Sequence, residues 1–210
     1  MWSRTYGGTG VDFGYSMTKT NDVGFIIVGA TNSSGAGNYD VYLVKTDWNG
    51  AMQWNKTYGG TGDEFGYSIV QTGDGGYTLA GHSSSFGSGS LDVYLVKTDA
   101  SGNMMWSRAF GGTGTDYAYS IVSTSDGGYI IAGATNSSGA GRNDVYLIKT
   151  DANGNMQWSR TYGGIGDDSA RLVIQTADGG YALIGATNSF GAGDYDAWLI
   201  KTDSAGNPTT

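Results

Sequence analysis

An all-β chain of four repeated units, a β-propeller, is what this sequence predicts, and three observations carry the prediction. WSRTYGG at Trp2, WNKTYGG at Trp54, WSRAFGG at Trp106 and WSRTYGG at Trp158 stand at a constant spacing of 52 residues. A fixed period of this size marks a solenoid, a propeller or an array. Glycine contributes 38 of the 210 residues while proline contributes 1, and the chain also holds 15 Tyr, 6 Trp and 6 Phe. Glycine spread evenly among so many aromatics reads as tight turns between strands. Finally, no window has helical period and length, whereas alternating runs of strand length recur between turn signals.

One unit can be followed from Gly59. GGTGDEFGYSIVQT ends in an alternating apolar run, and GDGG then supplies a turn whose glycines accept positive φ. YTLAGHSS makes a second run, the Gly/Ser-rich stretch from Phe86 to Ser90 a loop, LDVYLVKTD a third run, ASGN a turn and MMWSRAFGG a fourth run. Four strands of ordinary length result, in an antiparallel meander. The first turn of each unit ends on Gly24, Gly76, Gly128 or Gly180, after Asp22, Asp74, Asp126 or Asp178. The third strand begins on Asp40, Asp92, Asp144 or Asp196, and Gly50, Gly102, Gly154 or Gly206 turns the chain toward the fourth. Turn positions and strand faces persist while solvent positions drift, as a repeated structural unit requires.

A repeated four-stranded unit of this length is a propeller blade. The repeats run approximately over 2–53, 54–105, 106–157 and 158–210, making residues 1–210 one propeller domain or half of one. Trp2 to Gly8 reads as an outer fourth strand with no strands before it. The last unit reaches its third strand, AWLIKTD, and has Thr210 at the next tryptophan position. A ring closed by the N-terminal strand accounts for both features and leaves no open edge. One chain could close as a four-bladed monomer, or two chains could exchange their Trp2 strands in an eight-bladed homodimeric ring, the preferred reading. On the first strand Phe13, Tyr15 and Met17 form a bulky face and Gly14, Ser16 and Thr18 a small one, which suits closely stacked blades.

Charge narrows the partners. With 11 basic against 19 acidic residues, net −8, the chain has no basic stripe to displace counterions from nucleic acid and little attraction for anionic membranes. No apolar run approaches the roughly 20 residues of a spanning helix. The absence of cysteine removes disulfides, thiolate metal sites and a cysteine nucleophile. No signal peptide fits ahead of Trp2. The expectation is a cytosolic protein or, preferably, an excised piece of a longer one.

Candidate chemistry is sparse. GGTGVD at Gly7 matches half of the calcium-binding nonapeptide, but the copies lie 52 residues apart and one carries Glu64, which favours a Gly-rich connection over a metal site. His82 stands where the other units have Ala30, Ala134 and Ala186, and reads as a partly exposed strand residue. The pairs Asp63–Glu64 and Asp167–Asp168 could serve glycoside hydrolysis only across a cleft; adjacent in a turn, they are expected to face solvent. The last unit reads Ser169-Ala170-Arg171-Leu172 where others read FGYS or YAYS. Arg171 is expected to pair with Asp167 or Asp168, or else to place a cation at the channel mouth. Asn32, Asn55 and Asn136 head glycosylation triplets. No nucleophile elbow supports a serine triad. No catalytic residue, metal ligand or cofactor is assigned, the ligand site is left unknown, and the chain is expected not to be an enzyme.

The strings WSRTYGGTG, D-x-G-Y-S, T-x-D-G-G-Y-x-x-A-G and YDVYLVKTDxxGNMQW together resemble the bacterial and archaeal β-propeller repeats of the SBBP type, and more loosely the Trp-docked blades of quinoprotein-like propellers. The resemblance covers all four units. It implies a propeller of the kind found in large secreted or surface-attached proteins, and it brings no catalytic residues. A quinone cofactor is not expected, because that pocket sometimes uses vicinal cysteines and this chain has none. Two functions follow. One is a non-catalytic scaffold or interaction module, natural or engineered, whose loops from Ser33 to Asn38 and Ser85 to Ser90 contact protein or glycan. The other is a glycan-binding propeller with one channel residue per blade, Tyr15, Tyr67 and Tyr119, a set that Arg171 breaks. A second copy of the chain, a protein or a glycan are the expected partners.

Overall fold

The computed structural model describes residues 1–209, and they form four antiparallel sheets. The first sheet is a meander of β1 (Asp12–Lys19), β2 (Phe25–Thr31), β3 (Asp40–Thr46) and β4 (Met52–Tyr58). The second repeats it with β5 (Glu64–Gln71), β6 (Tyr77–Ser83), β7 (Asp92–Thr98) and β8 (Met104–Phe110). The third has β9 (Asp116–Ser123), β10 (Tyr129–Thr135), β11 (Asp144–Thr150) and β12 (Met156–Tyr162). The fourth has three strands, β13 (Asp168–Gln175), β14 (Tyr181–Thr187) and β15 (Asp196–Thr202). Among the described residues no helix is long and apolar enough to cross a membrane.

The hairpin between the first two strands of each unit shows why its residues recur. Thr20 N–H donates to the Gly24 carbonyl at 2.9 Å, closing the turn, and a Cβ on Gly24 would run into the carbonyl oxygen of Thr46. Lys45, buried on β3, reaches back to Asp22 of that turn at 2.8 Å. Lys97–Asp74, Lys149–Asp126 and Lys201–Asp178 repeat the contact at 2.8, 2.8 and 2.7 Å. Each first hairpin is thus tied to its third strand by an ammonium that also donates to a strand carbonyl, as Lys45 does to Thr46.

Successive sheets pack face to face through their apolar residues. Ile26, Val28, Val41 and Leu43 of the first sheet meet Ile69, Tyr77, Leu79, Tyr94 and Val96 of the second. Equivalent clusters join the second sheet to the third and the third to the fourth. The first strands converge, β5 on β1, β9 on β5 and β13 on β9, while β4, β8 and β12 lie outermost. This is the radial order of propeller blades.

One expectation is corrected. Register shifts lie between Gly14 and Ser16, Gly66 and Ser68, and Ala170 and Leu172, with the equivalent shift opposite Ala132 and Gly133. A bulge inserts one residue and so exchanges the faces on either side of it. Phe13 and Tyr15 therefore do not share a face with Met17. The counterparts of Met17, namely Ile69, Ile121 and Val173, are core residues, whereas Phe65 and Tyr67 belong to an aromatic cluster at the convergent edge. The N-terminal segment, expected to close the ring, docks on the first blade. Trp2 lies over Gly50 and Tyr6 Oη donates to the Gly50 carbonyl at 2.7 Å, the same docking that Trp54 and Tyr58 make on Gly102. Residues 1–8 form no strand, and among the described residues β15 pairs with β14 and with a short return at Pro208 and Thr209.

Candidate functional site

The loops that bring each chain segment from an outer strand to the next inner strand, and those between second and third strands, meet at one end of the blades. Single parallel bridges Tyr39–Asp63, Leu91–Thr115 and Asn143–Asp167 join them. The Gly-Gly-x-Gly loops are held there by buried or half-buried carboxylates. Asp12 accepts from Gly8 N–H at 2.9 Å, Glu64 from Gly60 at 2.7 Å, Asp116 from Gly112 at 3.0 Å and Asp168 from Gly164 at 3.0 Å. Hydroxyls complete the set: Thr31 and Ser33 on Asp12, Ser83 on Glu64, Ser137 on Asp116 and Ser189 on Asp168. The GGTGVD string is therefore a carboxylate-capped connection whose acid serves its own loop. Asn32 and Asn136 likewise accept from Val11 and Thr115 N–H at 2.5 and 2.6 Å.

The acidic pairs, expected to face solvent, are placed otherwise by the structure. Glu64 and Asp168 are fully buried caps, and their neighbours Asp63 and Asp167 stand in the bridged loops. Asp167 accepts from Asn143 Nδ2 at 2.6 Å and lies 4.0 Å from Arg142. The two members of each pair thus occupy different settings, one fully buried and one half-buried.

At the convergent edge the bulge residues form a row. Tyr15 and Tyr67 have ring centroids 4.9 Å apart, and Tyr67 and Tyr119 5.8 Å. The fourth place belongs to Arg171, whose Cζ lies 4.3 Å from the Tyr119 ring centroid. It stacks on an aromatic face rather than forming the expected ion pair with Asp167 or Asp168. A second row stands beside the first: Phe13 contacts Tyr15, Phe65 contacts Tyr67 and Tyr117 lies parallel to Tyr119 at 5.8 Å. Tyr39 bridges Phe13 and Phe65. Burial raises the hydroxyl pKa of Tyr15, Tyr67 and Tyr119, so these phenols stay protonated donors.

His82 is buried, not partly exposed. Its ring sits 5.2 Å from Phe65, 5.4 Å from Tyr67 and 5.2 Å from Tyr117, edge-on to the last. Desolvation outweighs the nearby Asp63 and Glu64 carboxylates and lowers its pKa to about 4. The imidazole is neutral at pH 7 and acts as a fourth ring of the cluster, wedged between the second and third blades.

A cleft of about 500 Å³ opens between the third and fourth blades at the end of this row. Tyr117, Tyr119, Asn143, Asp167, Arg171 and Tyr195 line it. Sequence reasoning found Tyr15, Tyr67, Tyr119 and Arg171 but missed Phe13, Phe65 and Tyr117. The signal for them is the aromatic two residues before each bulge tyrosine, which Ser169 replaces in the last unit. The loops Ser33–Asn38 and Ser85–Ser90 belong to the same end, although Ser33 and Ser85 spend their hydroxyls on Gly10 and Gly62 N–H.

No family model matches the chain. The regulatory protein FlaEY of Caulobacter vibrioides is 28% identical over 143 residues, covering 57% of this chain and 15% of its own length. A protein of unknown function from Bacteroides caccae has a similar structure, with a TM-score of 0.53 and 10% identity over 95% of this chain and 60% of that one. A protein provisionally assigned as an exo-beta-1,3-galactanase, from Bifidobacterium bifidum s17, also gives 0.53, with 14% identity over 95% of this chain and 72% of that one. The Phanerochaete chrysosporium exo-beta-1,3-galactanase reaches a TM-score of 0.47 at 13% identity over 90% of this chain and 46% of that one, and carries no argument. The chain thus spans a small part of FlaEY and less than two thirds of the Bacteroides protein. At these identities the structural likenesses reach the fold, a repeated all-β propeller, and no further. They do correct one expectation. The Bifidobacterium protein is assigned as an exo-beta-1,3-galactanase on this architecture, so the fold gives no ground for the expectation that the chain is not an enzyme, and that expectation is withdrawn.

Proposed function

We propose that this chain is a carbohydrate-binding propeller of the SBBP repeat type, from a secreted or surface protein, and that its aromatic edge is the binding face. The observation that carries the reading is the row Tyr15–Tyr67–Tyr119–Arg171, one residue per blade, ending over the cleft. A sugar ring offers an apolar C–H face and a girdle of hydroxyls. Stacked aromatic faces suit the first, and phenols, an amide, a carboxylate and a guanidinium suit the second. Asn143, Asp167 and Arg171 supply those polar groups at one end of the aromatic surface.

The test is titration calorimetry with a panel of oligosaccharides that includes β-1,3-linked galactose, the linkage named for the Bifidobacterium neighbour. Saturable binding should weaken about tenfold in Tyr119→Ala, where one stacked face worth about 1 kcal/mol beyond its buried area is lost. Release of reducing sugar in the same samples reports whether a bound oligosaccharide is also cut. Absence of binding across the panel, or binding that Tyr119→Ala leaves unchanged, overturns the reading.

A further inference from the structure

The two outward faces of the four-blade arc are built from the residues that elsewhere form blade–blade contacts. On the fourth blade, Leu199 is 68% exposed, whereas Leu43, Leu95 and Leu147 at the same position of the other blades are 0% exposed. Ile184 is 40% exposed where Val28, Ala80 and Ala132 are wholly buried. On the opposite face of the first blade, Met17 is 60% exposed, whereas Ile69, Ile121 and Val173 are at 5% or less. Leu172 and Ile174 enlarge the patch on the fourth blade. Leu172 also stands where Ser68 and Ser120 accept N–H bonds from Ile121 and Val173 of the next blade, so this end face is the more apolar version of the internal one.

The strand edges repeat the pattern. Thr46 pairs with Met52 and Thr98 with Met104; Thr202 pairs in the same way with Pro208, and Thr209 N–H donates to the Lys201 carbonyl at 2.9 Å. These two residues begin a fourth strand, and among the described residues none pairs with the outer edge of β15 from Ala197 to Leu199, the edge away from β14. At the other end Trp2 to Tyr6 already lies on the first blade as the outer-strand residues Trp54 to Tyr58 lie on the second. The 52-residue period gives the register that would satisfy both. Leu43 pairs with Lys56 and Val41 with Tyr58, so Leu199 should pair with Arg4 and Ala197 with Tyr6.

We infer that a second copy of this chain covers both faces. The fourth blade of each copy packs on the first blade of the other, and each Trp2–Tyr6 segment completes the partner's fourth blade. Each contact continues an interface that the chain already makes three times internally. Two copies give eight blades, within the roughly four to eight typical of propellers, while three would exceed it. A head-to-tail contact of this kind closes only if the rotation per subunit permits, and the alternative is an open fibre. In the closed ring Arg171 of one copy would lie between its own Tyr119 and Tyr15 of the other, making the aromatic row continuous. This inference stands apart from the carbohydrate reading and fails separately from it.

The decisive experiment is light scattering on the intact chain together with one cross-linking variant. The wild type should scatter at twice 21.9 kDa. Leu199→Asp, a change at an exposed position in the single chain, should return it to 21.9 kDa with its circular dichroism unchanged. Arg4→Cys/Leu199→Cys places the only two thiols opposite each other across the proposed strand pair, at the separation a disulfide spans. Oxidation should yield a covalent dimer. A wild type that stays at 21.9 kDa, an intrachain disulfide, or mass growing without limit as concentration rises overturns the inference.

Discussion

Tyr58 and Gly102, 44 residues apart, are joined by a 2.7 Å hydrogen bond from the phenolic Oη to the glycine carbonyl oxygen. The contact locks the outer strand of one blade to the last turn of the next, with Trp54 packed on the same glycine. Tyr6 to Gly50 and Tyr162 to Gly206 repeat it at 2.7 and 2.6 Å. The second blade carries Phe110 at this position, and Trp106 still packs on Gly154 there. Phe110→Tyr should therefore stabilise the chain by about 1 kcal/mol, and Tyr58→Phe should cost about as much, since a neutral hydrogen bond contributes roughly 0.5–1.5 kcal/mol net. Urea midpoints of the two variants check both signs. A destabilised Phe110→Tyr would show that the third blade's turn cannot receive the hydroxyl.

A second irregularity lies in the first hairpin. Val23 has φ of 69°, the left-handed region, at the place where Gly75, Gly127 and Gly179 have φ of 82°, 83° and 82°. A β-branched residue there is strained, because its Cβ crowds the following carbonyl. Val23→Gly should raise stability by about 1 kcal/mol, the strain relieved being partly offset by the greater freedom of glycine in the unfolded chain. The thermal midpoint should rise by a few degrees. A fall would mean that the exposed valine makes contacts that outweigh its backbone strain.

Blade number, strand order and turn positions were legible in the sequence because they are local and repeated. Trp54 and Gly76 announce themselves by recurring every 52 residues. The position of His82 was not legible, since its burial depends on Phe65, Tyr67 and Tyr117 from two blades. The faces of the first strand were misread for a related reason. A bulge at Tyr15 changes which residues share a side, and strict alternation has no signal for it. The buried state of Glu64 and Asp168 was hidden too, because their partners, loop N–H groups and hydroxyls, are backbone or come from another strand.

The repeated Lys–Asp contacts set the response to acid. Hydrogen bonds from Lys45 and Thr20 hold Asp22 at about 2. Burial pushes Asp74 and Asp126 upward, but Lys97 with Thr72, and Lys149 with Thr124, overcome it and hold both at about 2. A carboxyl depressed in the folded state stabilises it fully above its ordinary value of 3.8, and the contribution is lost as pH falls toward 2. The unfolded chain takes up those protons first. Resistance to urea should therefore drop between pH 4 and pH 2. Asp22→Ala should cost about 1–2 kcal/mol at pH 7, less than a fully buried pair because the aspartate is half in water. Lys45→Met should cost less, since it strands a solvated carboxylate rather than a buried ammonium. Equal costs, or Lys45→Met the costlier, would contradict this asymmetry.

His82 gives a separate, earlier step. Its folded pKa of about 4 lies below the ordinary 6.5, because burial among Phe65, Tyr67 and Tyr117 penalises the imidazolium more than Asp63 and Glu64 favour it. As pH falls from 6.5 to 4 the unfolded chain binds a proton that the folded chain refuses, so stability declines through that window and levels off below it. At 1.36 kcal/mol per unit the whole step is on the order of 3 kcal/mol. His82→Ala restores the residue that the other three blades carry there. It should abolish the decline between pH 6.5 and pH 4 while leaving the lower, aspartate-driven fall in place. Its stability at pH 7 should drop, because the cavity left between Phe65 and Tyr117 is not refilled. A variant whose stability still falls between pH 6.5 and pH 4 would assign that step to other groups and deny the imidazole its role as a neutral wedge.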